Sequence, residues 1–565
     1  MKRLKRNTVY ILILLIFTFI FLSASCSEAG SEAGENEIEK LEVDEKPGPV
    51  IDLYPSDDEF INMNLWNRIF KKHKYSIIPK PVQYKTGEGL FHMDSSVSIY
   101  SDPVYETQAS ILQQFILADT NLNLNIEGSS DKDNLIKLLN DTGVTHPEGY
   151  ILKISRDGII ISASTEKGIF YGIQTLRQII LRCPDMKLEA AAIEDYPRFE
   201  WRGLHLDVSR HFFPVSFLYK FLDTMAFYKF NRFHWHLTDD QGWRIEIKKY
   251  PELTKTGSYR EQEDGSMYGG YYTREEIRQV VAYAEKLHIE VVPEIEMPGH
   301  AVAAIAAYPE LSCRKVKLPI QAVWGVYLDV FCAGREGTFD FLENVLSEVI
   351  DLFPGKYIHI GGDECPKDRW RECPDCQERI KQEGLKDEFE LQSYFIKRIS
   401  SYLANKGKKV IGWDEIMEGG LAEEVTVMVW REDGVQATSA AVSLGNDVIL
   451  TPRLVCYLDW KQSSTDNTGS FGVSTIGNIY DYNPIPKNLS EEEAGYIIGI
   501  QGNIWTEKME TGDMVEYMAF PRALAIAETG WSQNKYNWED FTERVKVHLE
   551  ILSGMGINSY KIIER

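Results

Sequence analysis

The sequence is short of positive charge. Lys and Arg together number 61 against 85 Asp and Glu, so the formal net charge is −24 over 565 residues. A surface with this charge repels the phosphates of nucleic acids and the headgroups of anionic lipids. We therefore expect no nucleic-acid partner, and no contact with a membrane except through a covalent lipid anchor.

The motifs of several enzyme classes are also missing. The sequence contains no H-E-x-x-H zinc motif, no phosphate-binding P-loop and no dinucleotide fingerprint after a strand, and its histidines form no tight cluster. It offers no Ser/His/Asp pattern and no thiolate nucleophile. We therefore expect chemistry that rests on carboxylates, with no cofactor and no metal at the active site.

Cysteine is scarce, with eight residues in the chain. Seven remain if Cys26 is lipidated or removed, and an odd number argues against a fully paired disulfide framework. Cys313 and Cys332 could pair across a loop. Cys365, Cys373 and Cys376 form C-x7-C-x2-C, which leaves zinc open, but a structural zinc site usually has four ligands. The pattern favours free or disulfide-bonded cysteines over a metal.

The amino terminus has the pattern of a targeting segment. Four basic residues among the first seven precede the apolar run Val9–Leu22, and Ser23-Ala24-Ser25 leads to Cys26. This order predicts a signal peptide over residues 1–26. The apolar run is short for a membrane span, which needs about 20 residues. Cys26 resembles a bacterial lipoprotein lipidation site, so we expect export to the bacterial cell envelope. Residues 27–74 are acidic, which is typical of a tether.

Two folded regions follow the tether. Residues 75–197 alternate like strands at Val97–Tyr100, Tyr150–Ile154 and Gly158–Ala163, which predicts a small α+β domain with a supporting role. From residue 198 to 565 strands and helices alternate, which predicts a (β/α)8 barrel. The eight candidate strands are Gly203–Val208, Arg232–Thr238, Ile289–Glu296, Tyr357–Gly361, Lys409–Trp413, Val425–Trp430, Asp447–Leu450 and Tyr496–Gln501.

Acids and aromatic residues recur where these strands end. The fourth strand runs into Gly361-Gly362 and then Asp363-Glu364. Consecutive side chains on a regular strand face opposite ways, and the glycines relax that constraint. Carboxylates at a barrel mouth suit glycoside cleavage, with tryptophans around the sugar. A metal-dependent hydrolase and a non-catalytic glycan-binding protein are the alternatives; the second could lose the acid pair, and here both acids are present.

Six motifs occur in an order that resembles glycoside hydrolase family 20, the β-N-acetylhexosaminidases. They are Arg202-Gly-Leu-His-Leu-Asp-Val-Ser-Arg210-His, His234-Trp-His-Leu-Thr-Asp239-Asp240-Gln-Gly-Trp243, Pro293-Glu-Ile-Glu-Met-Pro-Gly-His300, His359-Ile-Gly-Gly-Asp363-Glu364, Tyr457-Leu-Asp459 and Gly502-Asn-Ile-Trp505-Thr-Glu507. The resemblance covers the chain from about Tyr75. Glu296 departs from it, because the family usually has Asp there.

The resemblance implies an exo-acting, retaining enzyme that removes terminal β-linked GlcNAc or GalNAc, with the substrate's own acetamido oxygen as nucleophile. Such an enzyme departs from the usual scheme of retaining glycosidases, in which a second carboxylate of the enzyme attacks the sugar. Asp363 would accept the acetamido N–H and stabilise the oxazolinium-like intermediate. Glu364 would be the general acid and base, with its pKa raised by Asp363.

The remaining roles are likewise implied by the resemblance. Tyr457 would bond the acetamido oxygen. Three indoles would enclose the acetamido group and the sugar ring: Trp413, Trp430 and Trp505. Three charged residues would bind ring hydroxyls: Arg210, Asp459 and Glu507. Asp239 and His300 would form a polar pair that supports Glu364.

Overall fold

The computed structural model describes residues 76–422, 424–533 and 537–565, which belong to one compact unit. The predicted signal peptide, lipidation site and tether lie outside these residues. Within the described residues, no helix is both long enough and apolar enough to cross a membrane.

The first region is a seven-stranded mixed sheet covered by two helices. The helices are Glu106–Thr120 and Glu166–Leu181, the second capped by the Thr165 side chain. The strands are Gln83–His92, Ser98–Ser101, Asn125–Glu127, Leu135–Asn140, Tyr150–Ser155, Gly158–Ala163 and Lys187–Asp195. Strand Tyr150–Ser155 alternates buried and less buried residues, so its apolar side chains line one face. The predicted α+β architecture is confirmed here.

The second region is a closed barrel of eight parallel strands. In chain order, barrel strands one to eight are Trp201–Asp207, Arg232–His236, Glu290–Glu294, Tyr357–His359, Lys409–Trp413, Thr426–Val429, Val448–Leu450 and Ile497–Ile504. The eighth strand closes on the first, pairing Ile504 with Leu206. Most strand residues are buried on both faces, which explains their near-continuous apolar runs. All eight predicted strands are present, and the predicted fold class is confirmed.

Helices lie between the barrel strands and after the last one. The longer ones are Val215–Phe227, Arg274–Lys286, Glu336–Leu352, Pro374–Glu383, Glu388–Asn405, Val435–Ser443, Gly512–Ala519, Arg522–Trp531 and Trp538–Gly554. The short ones are Glu252–Lys255, Val302–Ala307, Asp368–Glu372, Arg453–Cys456, Ile476–Asp481 and Glu491–Ala494. Helix Arg274–Lys286 begins with a capping box, in which the Glu276 side chain accepts the Thr273 N–H.

Further short strands pair in the loops above the barrel. They are Thr238–Asp239 with Gly242–Trp243, Tyr259–Glu261 with Met267–Gly269, and Trp460–Lys461 with Ser470–Val473.

A buried polar network joins the small sheet to the barrel. Lys229 Nζ lies 2.9 Å from Asp195 Oδ2, and both side chains are fully buried. The Tyr150 hydroxyl donates to the same carboxylate at 2.7 Å, and the Trp531 indole N–H donates to its other oxygen at 2.9 Å. A charge buried away from water is tolerated when it is paired and hydrogen-bonded, so this network fixes how the two regions pack.

Candidate active site

The Asp363-Glu364 pair leaves the fourth barrel strand on a glycine bend. Gly361 and Gly362 have φ angles of 66° and 101°, a region that glycine adopts without steric cost, and Glu364 itself has a φ of 43°. Asp363 is only 9% exposed, whereas Glu364 points toward solvent. The prediction that the glycines free the two acids from strand geometry is confirmed.

Glu296 packs against this bend. A Cβ built on Gly361 would lie 1.7 Å from Glu296 Oε2, so only glycine leaves room for this longer acid. Glu296 is buried, and burial together with the Asp363 and Glu294 carboxylates raises its pKa well above the ordinary value. These surroundings therefore favour the neutral form of Glu296 at the floor beneath the acid pair.

His300 connects both acids to the second strand end. Its Nε2 lies 3.5 Å from Glu364 Oε2 and 3.7 Å from Asp363 Oδ2. Its Nδ1 lies 3.2 Å from both Asp239 Oδ1 and Asp240 Oδ2. Burial opposes a charge on His300, but the surrounding carboxylates outweigh it and raise its pKa well above the ordinary value. The site therefore holds an imidazolium between four acids.

Arg210 extends this charge network across the mouth. Its Nη1 lies 2.9 Å from Asp239 Oδ2 and 3.5 Å from Asp207 Oδ2. Asp207 also accepts the Ser209 and Arg210 backbone N–H groups, which holds the loop after the first strand. The guanidinium lies over the Trp505 ring, 5.1 Å from its centroid.

The pKa values of Asp363 and Glu364 are shifted in opposite directions from their ordinary values. Burial raises the pKa of Asp363 to about 7, opposed by His300 and reinforced by Glu364. The hydrogen bond with His300 lowers the pKa of Glu364, and burial only partly opposes this. The expectation of a raised pKa for Glu364 is wrong for the free site, because this side chain stays open to water and faces a cation.

An aromatic wall stands beside the acids. The Trp430 and Tyr457 rings stack with centroids 6.0 Å apart and planes 18° apart. Trp505 lies 6.2 Å from Tyr457 and 5.8 Å from Trp413, again between centroids. These rings come from the ends of the fifth, sixth and eighth strands and from the loop after the seventh. The structure therefore brings together the aromatic residues that the sequence picked out separately.

Glu415 anchors this wall and was not among the predicted site residues. Its Oε2 accepts the Trp430 indole N–H at 2.8 Å. Burial, with Asp363 and Asp414 nearby, raises the pKa of Glu415 to about 9. Glu415 follows Trp413-Asp414 directly at the end of the fifth strand, and this position was the one sign in the sequence that Glu415 belongs to the site.

Asp459 and Glu507 lie on the Arg210 side of the mouth. Burial and the Glu507 carboxylate raise the pKa of Asp459 well above its ordinary value. Burial also raises the pKa of Glu507, against the opposing charge of Arg210. Among the described residues, Asp459 Oδ1 and Asp363 Oδ1 are buried without a hydrogen-bond partner. Buried polar atoms are normally satisfied, so both oxygens suit a hydroxyl or amide donor of a ligand.

Four histidines surround Glu294 below the mouth. Its carboxylate lies 2.5 Å from His236 Nδ1, 3.0 Å from His234 Nε2 and 2.7 Å from His359 Nδ1, with His205 at 3.9 Å. The expectation of no tight histidine cluster is therefore wrong. His234 and His236 are two residues apart on one strand, so both side chains point into the barrel. These imidazoles are fully buried and directed at Glu294, and His236 carries the network to Asp239 at 2.9 Å.

The structure thus places every predicted site residue at the carboxyl end of the barrel, where (β/α)8 enzymes carry their active sites. A (β/α)8 barrel whose mouth is lined by acids and indoles has the features of the carbohydrate-active barrel enzymes.

Comparison with known proteins identifies the family. The model of the catalytic domain of glycosyl hydrolase family 20 matches residues 199–534, and the model of that family's domain 2 matches residues 74–196. The chain belongs to glycosyl hydrolase family 20, as the six motifs predicted.

Individual relatives agree with this assignment. A β-hexosaminidase of Porphyromonas gingivalis is 44% identical over 500 residues, which cover 86% of this chain and 64% of the relative. The chain thus spans just under two thirds of that protein's length. A family 20 exo-β-N-acetylglucosaminidase from Vibrio harveyi, solved with N-acetylglucosamine, is 31% identical with a TM-score of 0.78, covering 86% of this chain and 79% of that one. A β-N-acetylhexosaminidase from Streptomyces coelicolor is 31% identical with a TM-score of 0.78, covering 87% and 98%.

Proposed function

We propose that this protein is an exo-acting β-N-acetylhexosaminidase that removes terminal β-linked GlcNAc or GalNAc from glycans with retention of configuration. The observation that carries the proposal is the adjacent acid pair on its glycine bend, beside a wall of Trp413, Trp430 and Trp505. An indole wall fits the acetamido methyl and the apolar face of a pyranose ring.

The first step is closure of the substrate on itself. The acetamido oxygen attacks the anomeric carbon, the C1–O bond to the leaving group breaks, and Glu364 donates its proton to the departing oxygen. The Asp363 carboxylate accepts the acetamido N–H and faces the positive charge that spreads over the new five-membered ring. Tyr457 bonds the acetamido oxygen and holds it in line for attack.

The second step reverses the proton transfer. Glu364, now a carboxylate, removes a proton from water as the water oxygen attacks C1. The ring opens, the acetamide is restored, and the sugar leaves with the β configuration. Asp239 and His300 position Glu364 in both steps, and Arg210, Asp459 and Glu507 bind the sugar hydroxyls.

The protonation state needed is an ionised Asp363 with a protonated Glu364. In the free site the shifted pKa values favour the opposite distribution of the single proton. A bound sugar excludes water from Glu364, which raises the pKa of that carboxyl, and the acetamido N–H bond stabilises the Asp363 carboxylate. Substrate binding therefore moves the proton to the group that uses it.

The proposal is tested by hydrolysis of aryl β-GlcNAc and aryl β-GalNAc by the wild type and by Glu364→Gln. General acid catalysis is worth about 10²–10⁴-fold in rate, so we expect wild-type turnover and a loss of that size in the variant, largest for poor leaving groups. A wild type that binds both sugars and cleaves neither would indicate a glycan-binding protein. Undiminished turnover by Glu364→Gln would contradict the assigned acid.

We also propose that the protein is exported and carries a lipid on Cys26. The support is the order of basic, apolar and small residues before Cys26. Full-length protein expressed in a bacterium should partition into the detergent phase of a two-phase extraction, and Cys26→Ala should partition into water. Equal partitioning of the two would contradict lipidation.

A further inference from the structure

Four cysteines from distant parts of the sequence meet outside the sugar site. Cys376 Sγ lies 3.7 Å from Cys313 Sγ and 3.6 Å from Cys332 Sγ, and Cys332 Sγ lies 3.8 Å from Cys373 Sγ. All four sulfur atoms lie within 4.8 Å of one another. The sequence spacing grouped Cys373 and Cys376 with Cys365, and this grouping is wrong. Cys365 is absent from the group, and Cys313 and Cys332 from the loop after the third barrel strand complete it.

The sulfur separations match one coordination geometry. Zinc–thiolate bonds are about 2.3 Å long and tetrahedral, which places neighbouring sulfurs about 3.8 Å apart. A disulfide would require about 2.05 Å between two of them. The three separations of 3.7, 3.6 and 3.8 Å agree with the tetrahedral edge, and the described cysteines form no disulfide. A closed set of four cysteines is also a common donor set of structural zinc sites.

The residues around the four cysteines bury their sulfur atoms and hold them close together. Cys332, Cys373 and Cys376 are buried, and Cys313 is half-buried. Cys373 is the N-cap of helix Pro374–Glu383 and Cys376 lies in its first turn, where backbone N–H groups and the helix dipole favour thiolates. A Cβ on Gly334 would lie 2.2–2.3 Å from the Asp375–Cys376 peptide, so the glycine lets the two loops touch.

Arg335 links the loop that carries Cys313 to the segment that carries Cys373 and Cys376. Its Nη1 donates to the Ser312 carbonyl at 2.7 Å, and its Nη2 donates to the Cys313 carbonyl at 3.1 Å. Its Nε lies 2.5 Å from Asp375 Oδ2. Such supporting bonds orient metal ligands, and a guanidinium beside the group offsets the negative charge of four thiolates.

We propose that Cys313, Cys332, Cys373 and Cys376 bind one structural zinc ion. Each thiol loses its proton as its sulfur coordinates the metal, so binding releases up to four protons and leaves a site with net charge −2. The site joins the loop after the third barrel strand to the loop that carries Asp363 and Glu364. It therefore has a positioning role: it holds the acid-bearing loop and touches no reacting group.

The contacts between the two loops support that role. The Phe331 carbonyl accepts the Trp370 indole N–H at 2.9 Å, and the Phe331 N–H donates to the Pro298 carbonyl at 2.9 Å. Pro298 lies two residues before His300, which contacts both acids. Zinc at the cysteines would anchor the outer end of this connection.

The test is metal content and thiol accessibility of the full chain purified without chelator or reductant. We expect one zinc per chain by plasma mass spectrometry in the wild type and in Cys183→Ser, and a several-fold loss in Cys376→Ser. In the wild type, alkylation followed by peptide mass spectrometry should label the four cysteines only after zinc is removed with a chelator. Removal should also lower the melting temperature.

Three results would overturn the proposal. The first is metal-free wild type in which the four cysteines resist alkylation even after denaturation and chelation, because they form two disulfides. The second is equal zinc in Cys376→Ser and the wild type. The third is iron in place of zinc. The wild-type measurements need no variant, so they decide the question even if Cys376→Ser fails to fold.

Discussion

Removing the His300 charge should move the pH optimum of hydrolysis upward. His300 lies within 4 Å of both acids, and in the proposed mechanism the Asp363–Glu364 pair is active when it shares one proton. In kcat/KM, activity is lost at low pH as the second proton binds and at high pH as the shared proton leaves. The upper limb of the wild type should therefore lie near pH 7, and the lower limb below the ordinary range of a glutamate.

The size of the shift follows from distance and exposure. Glu364 is 41% exposed, so the 3.5 Å separation in water is worth about 1 kcal/mol, or just under one pKa unit. The side chain of Asp363, taken without its backbone, is 13% exposed and lies 3.7 Å from His300, where a lower dielectric gives about 4 kcal/mol, or about three pKa units as an upper bound. Loss of a cation disfavours the carboxylate form, so both pKa values rise.

The assay is kcat/KM for an aryl β-GlcNAc across pH in wild type, His300→Asn and the control His92→Asn, an exposed histidine of the small sheet. Both limbs should move up by about one unit or more in His300→Asn and stay in place in the control. A uniform loss of activity with unmoved limbs would refute the reasoning, because His300 would then act without setting the charge of the acids.

Two further predictions concern stability and the sugar wall. Lys229→Met leaves the buried Asp195 charge without its cation, so the free energy of unfolding in urea should fall by about 3–5 kcal/mol. The control Lys132→Met removes an exposed cation and should change the free energy of unfolding by under about 1 kcal/mol. Equal effects of the two substitutions would contradict the buried network. Trp430→Phe keeps an aromatic ring but leaves Glu415 Oε2 without its donor, a cost of about 1–3 kcal/mol, so kcat/KM should fall roughly 5- to 150-fold with the fold intact by circular dichroism. Wild-type kcat/KM in Trp430→Phe would show that this bond does not support the site.

The barrel was predictable because its signals are local. Each strand is a short apolar run between turns, and each catalytic candidate follows such a run within a few residues, as Asp363 and Glu364 follow Tyr357–His359. Parallel strands in a barrel bring their carboxyl ends to one face, so the eight strand ends converge without any knowledge of side-chain contacts.

The features that could not be predicted depend on contacts between distant segments. Cys313 and Cys376 are 63 residues apart, and nothing local to either shows that their loops meet. The direction of the Glu364 pKa depends on His300, which reaches it from another strand end. The sequence shows Glu294 and the four histidines that surround it, but only the strand register shows that the imidazole rings converge on the Glu294 carboxylate.

The most direct test of the central claim is the rate of hydrolysis of aryl β-glycosides whose acetamido methyl is replaced stepwise by CH₂F, CHF₂ and CF₃. Fluorine withdraws electrons from the carbonyl oxygen that attacks C1. If the substrate supplies the nucleophile, kcat/KM should fall steeply with each fluorine, and an aryl β-glucoside without the acetamido group should not be cleaved. A flat series with glucoside cleavage would show instead that a residue of the enzyme attacks C1.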